Sequence, residues 1–78
     1  MYYTYILQLK DMSFYHGYSN NLKQRLKEHL DGSSKSTKNL RPIKLVFYAA
    51  FHTKTKAIEF EKYLKSSSGF AFRNKHLI

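Results

Sequence analysis

The sequence contains no cysteine. That removes disulfides, thiolate metal sites and cysteine nucleophiles together, and it fits a reducing compartment. Long apolar runs are also missing, and residues 1–10 lack the charged start of a secretory leader, so neither a signal peptide nor a membrane helix is expected. A soluble, cytoplasmic protein is the expectation. No internal repeat is present, and no zinc-type His-Glu-x-x-His, P-loop or Ser-His-Asp pattern offers itself for catalysis. Acidic residues are scarce: five Asp and Glu stand against 14 Lys and Arg, a formal charge of +9. With 78 residues the chain is expected to be one domain, residues 1–78, whose core supplies only a few kcal/mol of net stability.

What the sequence does have is positive charge and aromatic rings. A net charge of +9 on so small a body attracts polyanions, of which nucleic acid is the commonest. Charge alone fits a basic, solvated surface equally well. Thirteen aromatic residues, seven of them Tyr, add a small tilt toward nucleic acid, because rings stack on bases as well as filling cores.

Residues 2–9 are rich in Tyr, Thr, Ile and Leu and read as a strand, residues 10–13 as a turn, and residues 14–18 as the second arm of a hairpin. Alternation puts Tyr3, Tyr5 and Leu7 on one face of the first arm. In the second it groups Tyr15 with Gly17, and Phe14 with His16 and Tyr18. Ser19 or Asn20 is a good N-cap for a helix that runs to about Leu30 and stops before Gly32, with Leu22, Leu26 and Leu30 as its apolar stripe. On this helix Arg25 and His29 are four residues apart, beside the stripe on the side facing the sheet, while Gln24 and Glu28 point away.

Residues 31–38 read as an exposed loop, and Pro42 opens a third strand over 43–51 with Leu45, Phe47, Ala49 and Phe51 on one face. Thr53 can cap a helix over 54–65 whose apolar side carries Ala57, Phe60 and Leu64, with Glu61 among them and Glu59 opposite. The serines and glycine at 66–69 read as a break before a short final helix over 70–76. The expected fold is α+β: a small three-stranded sheet in the order β-β-α-β-α-α with flanking helices.

Three inward-leaning polar residues, Arg25, His29 and Glu61, call for an explanation, because a carboxylate on an apolar face costs several kcal/mol unless something positive meets it. Each has a plain structural one. Arg25 can pair with Glu61, His29 can be a satisfied helix histidine, and Tyr5 and Tyr15 can be core aromatics with a hydroxyl at the edge.

As a set, however, the pattern resembles the GIY-YIG endonuclease family, which has a Gly-Ile-Tyr-like triplet, a Tyr-Ile-Gly some ten residues later, and then an Arg-Leu-x-x-His. Here these positions read Tyr3-Thr4-Tyr5, Tyr15-His16-Gly17, and Ser19-Asn20-Asn21-Leu22-x-x-Arg25-Leu26-x-x-His29 followed by Gly32. Arg41-Pro42-x-Lys44-Leu45-Val46 and Ala57-x-x-x-Glu61-x-x-Leu64-Lys65 follow, with Asn74 beyond. The resemblance covers essentially the whole chain and is similar in style to small members like the nuclease module of the bacterial excinuclease C subunit. Tyr3, Thr4 and His16 depart from the eponymous triplets, while both tyrosine positions and Gly17 are kept.

The resemblance implies a divalent-metal-dependent endonuclease that hydrolyses DNA, with repair or branched structures as candidate substrates. It implies one Mg²⁺ or Mn²⁺ held by Glu61 and water, Tyr5 as general base, and Tyr15 placing water and phosphate. It further implies Arg25 gripping phosphate, His29 orienting Tyr5 or relaying its proton, and Lys35, Lys38, Arg73 and Asn74 along the nucleic-acid backbone. The rival expectation is a non-catalytic nucleic-acid-binding module on the same fold. Nothing in the sequence separates DNA from RNA or names a recruiting protein.

Overall fold

The computed structural model describes residues 1–35 and 37–78. Its elements are β1 (Tyr2–Gln8), β2 (Phe14–Ser19), α1 (Leu22–Asp31), a 3₁₀ turn (Lys38–Leu40), β3 (Lys44–Phe51), α2 (Lys54–Lys65) and α3 (Ser67–His76). This is the expected α+β order. The three strands form an antiparallel sheet in the order β2-β1-β3, so β1 is central and both of its neighbours are edges.

The two faces of β1 carry different halves of the core. Toward α1, Tyr5, Leu7 and Leu9 pack against Leu22, Leu26, Leu40, Ile43 and Leu45. Toward α2, Ile6 is fully buried, as are Ala57 and Leu64, and the Phe60 ring lies 6.2 Å from Phe47 and 5.5 Å from Phe51. Each large aliphatic side chain taken wholly out of water contributes about 1.5–3 kcal/mol. Thr4 would be a polar intruder on this second face, but its hydroxyl donates to the Ala57 carbonyl at 2.6 Å and ties β1 to α2.

Strand β3 departs from the strict alternation expected of it. Leu7 pairs with Leu45 but Ile6 pairs with Phe47, so Val46 is an extra residue in the ladder. The bulge reverses the alternation at that point. Leu45 therefore joins the α1 half of the core, while Phe47, Ala49 and Phe51 face α2, and the four do not share one face.

The caps differ by small amounts from the sequence expectation. Asn21, not Ser19 or Asn20, caps α1: its side-chain oxygen accepts the Gln24 N–H at 3.1 Å. The hydroxyl of Ser19 instead accepts the Asn21 N–H. Gly32 ends α1 in the left-handed region at φ 83°, with its N–H bonded to the Glu28 carbonyl. Leu30 is exposed and lies outside the apolar stripe. Thr53 caps α2 through Lys56, as expected. Ser66 closes α2 and caps α3 through Gly69, so the last helix begins at Ser67 rather than at Phe70. At Gly69 the helices touch so closely that a Cβ would overlap the Tyr63 carbonyl.

Helix α3 is pinned by Arg73, which the sequence analysis assigned to nucleic acid. It is only 6% exposed. Its guanidinium lies 4.8 Å from the Phe14 ring and 4.4 Å from the Phe70 ring, and two of its nitrogens donate to Asn74 Oδ1. Nη1 is 3.2 Å from His16 Nε2; since arginine can only donate, His16 must accept and is neutral there. Arg73 thus holds α3 to β2 with its guanidinium enclosed, while Asn74 accepts from it and stays exposed on the helix surface.

Burial, then the Arg73 charge, and then that of Lys65 push the His16 pKa from 6.5 down to about 4. The unfolded chain takes up this proton as pH falls through 6.5, whereas the folded chain resists until about 4. Stability should therefore decline as pH is lowered across that window. Thermal melts at stepped pH are expected to show the decline, with a shallower one in His16→Gln. Parallel curves for the two proteins would exclude His16 as the titrating group.

Candidate active site

The register of the hairpin places Tyr5 opposite Gly17 and Leu7 opposite Tyr15, so both tyrosines lie on the α1 face. Gly17 is what permits this. A Cβ at that position would come within 2.6 Å of the Tyr5 hydroxyl oxygen and 3.1 Å of the Tyr15 ring. The bare backbone of β2 lets the Tyr5 phenol lie across its neighbour.

Beneath Tyr5 sits His29, brought inward by α1. Its Nε2 is 3.1 Å from the Tyr5 hydroxyl and its Nδ1 is 2.7 Å from the Thr37 hydroxyl. Tyr5, His29 and Thr37 are each 1% exposed or less. Two proton arrangements satisfy all three groups. Either Tyr5 donates to Nε2 and Nδ1–H donates to Thr37, or Thr37 donates to Nδ1 and Nε2–H donates to Tyr5. Edge-to-face and tilted rings complete the box, with Tyr15 centred 5.2 Å and Tyr5 5.8 Å from the imidazole.

The electrostatics keep this box neutral. Burial drives the Tyr5 pKa upward, the neighbouring Tyr15 adds to the rise, and Arg25 opposes it. Burial drives the His29 pKa down, and Arg25 pushes the same way. At neutral pH the pair is a phenol and a neutral imidazole, able to pass a proton between them without either starting charged.

Tyr5, Tyr15, Arg25 and Glu61 all line one open pocket of about 500 Å³. Arg25 is at its rim rather than buried: its Nε is 3.6 Å from Glu28 Oε1, in a pair whose side chains are 45% and 36% exposed. A pair that open to water is worth little. Glu61 arrives from α2, on the other side of the sheet, with its side chain 16% exposed and Lys65 Nζ 3.8 Å away. The pairing of Arg25 with Glu61 that spacing allowed is therefore not made. The arginine meets a carboxylate one turn away on its own helix, and so does the lysine beside Glu61. Glu59 faces solvent, as expected.

Lys35 and Lys38 are exposed on the segment that carries Thr37 and do not line the pocket. The structure adds residues that spacing did not single out. Tyr2, Tyr18 and Lys54 come to the pocket from the α2 side of the sheet edge, and Asn20 comes from the start of α1. Thr37 was hidden inside a polar stretch that reads as loop. Its only sequence signal is a threonine eight residues beyond a helix histidine, too weak to find it.

Glu61 is the one carboxylate in the pocket wall, and no group of three or more His, Cys, Asp or Glu gathers among the described residues. Such a site does not suit zinc, which wants three or four protein ligands. It fits a hard cation such as Mg²⁺ or Mn²⁺, which keeps most of its water and takes one or two carboxylates plus substrate phosphate.

Residues 1–75 match the family model described as the GIY-YIG catalytic domain. The chain is 44% identical over 64 residues to UPF0213 protein YazA of Bacillus subtilis, covering 81% of this chain and 65% of that protein. It is 44% identical over 66 residues to UPF0213 protein CPE1444 of Clostridium perfringens, covering 83% and 71%. It spans just under two thirds of the length of the first and somewhat more of the second. The solution NMR structure of UPF0213 protein BH0048 from Bacillus halodurans superposes with a TM-score of 0.59 at 34% identity, over 96% of this chain and 84% of that one. With a catalytic-domain match across nearly its full length and the fold of a solved relative, this chain belongs to the GIY-YIG family.

Proposed function

We propose that the chain is a divalent-metal-dependent endonuclease that hydrolyses phosphodiester bonds in DNA. The observation that carries this reading is the buried Tyr5–His29–Thr37 chain, which ends in a pocket whose wall also holds Arg25 and Glu61. Mutual satisfaction of the three groups serves stability in either reading; what favours turnover over binding alone is that this hydrogen-bonded chain meets Arg25 and a carboxylate in one pocket.

The proposed roles are supported by where the side chains lie. Glu61 is the carboxylate that would hold the ion, whose chemistry would be to polarise the scissile phosphate and stabilise the departing 3′ oxygen. Tyr5 takes the proton of the attacking water while its own phenolic proton passes to Nε2 of His29. The raised pKa of Tyr5 makes this hand-off necessary, because a free phenolate is scarce at neutral pH. Thr37 accepts from Nδ1 and so holds the imidazole with Nε2 ready to receive. Tyr15 places water and phosphate, and Arg25 at the rim grips the non-bridging oxygens as charge builds on them. Lys35 and Lys38, exposed and adjoining Thr37, track the backbone further along.

Binding should be largely electrostatic. If roughly 4–6 phosphates are contacted, the log–log dependence of duplex affinity on salt has a slope of about −4 to −5. Titrations by fluorescence anisotropy at several salt concentrations measure it, and a flat response would remove nucleic acid as the partner.

Arg25→Ala is expected to lower turnover about 100-fold or more with the fold intact, and Tyr5→Phe to do similar damage by removing one oxygen. Gly17→Ala should be equally harmful although it removes nothing, because the new methyl displaces the Tyr5 hydroxyl. Tyr3→Phe is the control and should be mild. Wild-type cleavage rates in both the Tyr5 and Arg25 variants would rule out these roles.

Glu61→Gln is expected to abolish cleavage in Mg²⁺ or Mn²⁺ while leaving DNA binding in EDTA intact or tighter, since a negative charge beside the phosphate is gone. Glu59→Gln should do neither. A melting curve and a cleavage time course on the same Glu61→Gln sample decide the matter. A folded variant that still cuts would take Glu61 out of the site.

A further inference from the structure

On the α1 face of the sheet, beside the catalytic pocket, runs a second groove of about 400 Å³ between α1 and β3. That volume is at the small-ligand end of the pocket range. Its walls include Tyr3 and Tyr48, whose rings are 6.3 Å apart, and the floor is made by Leu22, Leu26 and Leu45. Tyr48 is 54% exposed in the middle of a strand. Among the described residues neither tyrosine hydroxyl takes a hydrogen bond. A large aromatic ring left open on a sheet, with its polar tip unused, contributes little to the core and offers a stacking face.

We propose that this groove seats an unpaired nucleobase adjoining the cut, stacked on Tyr48 and Tyr3, so that the preferred substrate has a single-stranded nucleotide beside the scissile bond. The inference rests on the nuclease reading of the neighbouring pocket and extends it to a substrate class.

Three features select this occupant. The first is continuity: Asn20 lines both the groove and the catalytic pocket, so a chain lying in one passes into the other. The second is register. Tyr48 is the direct cross-strand partner of Tyr5, so its backbone lies about one strand spacing, ~4.8 Å, from that of the catalytic tyrosine and its side chain leaves the same face of the sheet. The third is charge. Lys23 borders the groove and no acidic residue lines it, which favours a polyanion over an acid-neutral peptide. A base inside a duplex has both faces covered by its neighbours, so only a splayed base can lie on these rings. Asn20 and Asn21 supply amide donors and acceptors at the groove edge for the base or its phosphate.

The test uses a short oligonucleotide carrying one 2-aminopurine, free or annealed to its complement, titrated with the protein in EDTA. Tyr48→Thr keeps strand propensity while removing the ring. It is expected to weaken single-strand binding by roughly 5- to 100-fold, the range of one base–aromatic stack, and to leave duplex binding within about twofold. Tyr48→Phe should bind as wild type, and the salt slope should not change because no phosphate contact is lost. Should Tyr48→Thr fail to fold, Tyr3→Ala is read by the same criteria.

Equal weakening on single strand and duplex, or no weakening on single strand, overturns the proposal. So does a Tyr48 variant that changes only self-association, which would assign the groove to a second copy of the chain. With Mn²⁺ present, wild-type protein should cut a gapped substrate at least tenfold faster than the sealed duplex. Equal rates would also overturn it. Absence of cleavage on both, with the stacking readout intact in EDTA, would count against the nuclease reading alone.

Discussion

The rest of the site depends on one constraint: three polar side chains, Tyr5, His29 and Thr37, are shut away from water and have to satisfy one another. A buried hydroxyl or imidazole without a partner costs about 1–3 kcal/mol, a large share of the net stability that a core of this size supplies. The two hydrogen bonds therefore fix more than themselves. They set the rotation of α1 about its axis, because His29 must face inward. They set the path after α1, because Thr37 must return beneath the helix. And they hold the Tyr5 hydroxyl at one point on the pocket wall. Rigidity at the base of the pocket is what positions a proton acceptor before any substrate arrives.

Around that chain the sheet is shaped by two local exceptions to regular structure. Gly17 removes a side chain from β2 where Tyr5 needs the space. The bulge at Val46 changes which residues of β3 face α1, bringing Leu45 into that half of the core and leaving Tyr48 on the same face as Tyr5. Because β2 is an edge strand, residues from both faces meet at its end. This is how Glu61, carried by a helix on the opposite side of the sheet, comes to the same pocket as Arg25.

The positive charge of the chain divides into two uses. Most lysines are exposed and contribute to a field that attracts phosphate. Arg73 is instead spent inside, stacked between Phe14 and Phe70 and bonded to neutral partners, with no ion pair to a carboxylate among the described residues. Burial lowers its pKa somewhat and leaves it a cation. It holds α3 to the hairpin at the cost of keeping His16 neutral, so the helix that closes the fold is tied to the protonation of a single imidazole.

Much of this could be seen in the chain before folding. Alternation and 3.6-residue periodicity identified the strands and helices, Thr53 and Gly32 marked helix ends, and helical position set His29 on the inner side of α1, because these are properties of neighbouring residues and local geometry. Other features exist only once distant segments meet. Thr37 looks like loop until the segment carrying it folds back under His29. Arg73 looks like a phosphate contact until α3 packs on β2 and encloses it. The face switch in β3 depends on pairing with β1, and no residue in 43–51 announces a bulge. Spacing likewise missed the carboxylate that Arg25 meets: it offered Glu61 and turned Glu28 away, whereas Arg25 sits at the pocket rim and pairs with Glu28. The choice fell to tertiary structure because the energy of a polar contact depends on distance and on how much water is excluded, and neither is defined until the sheet and its helices have packed.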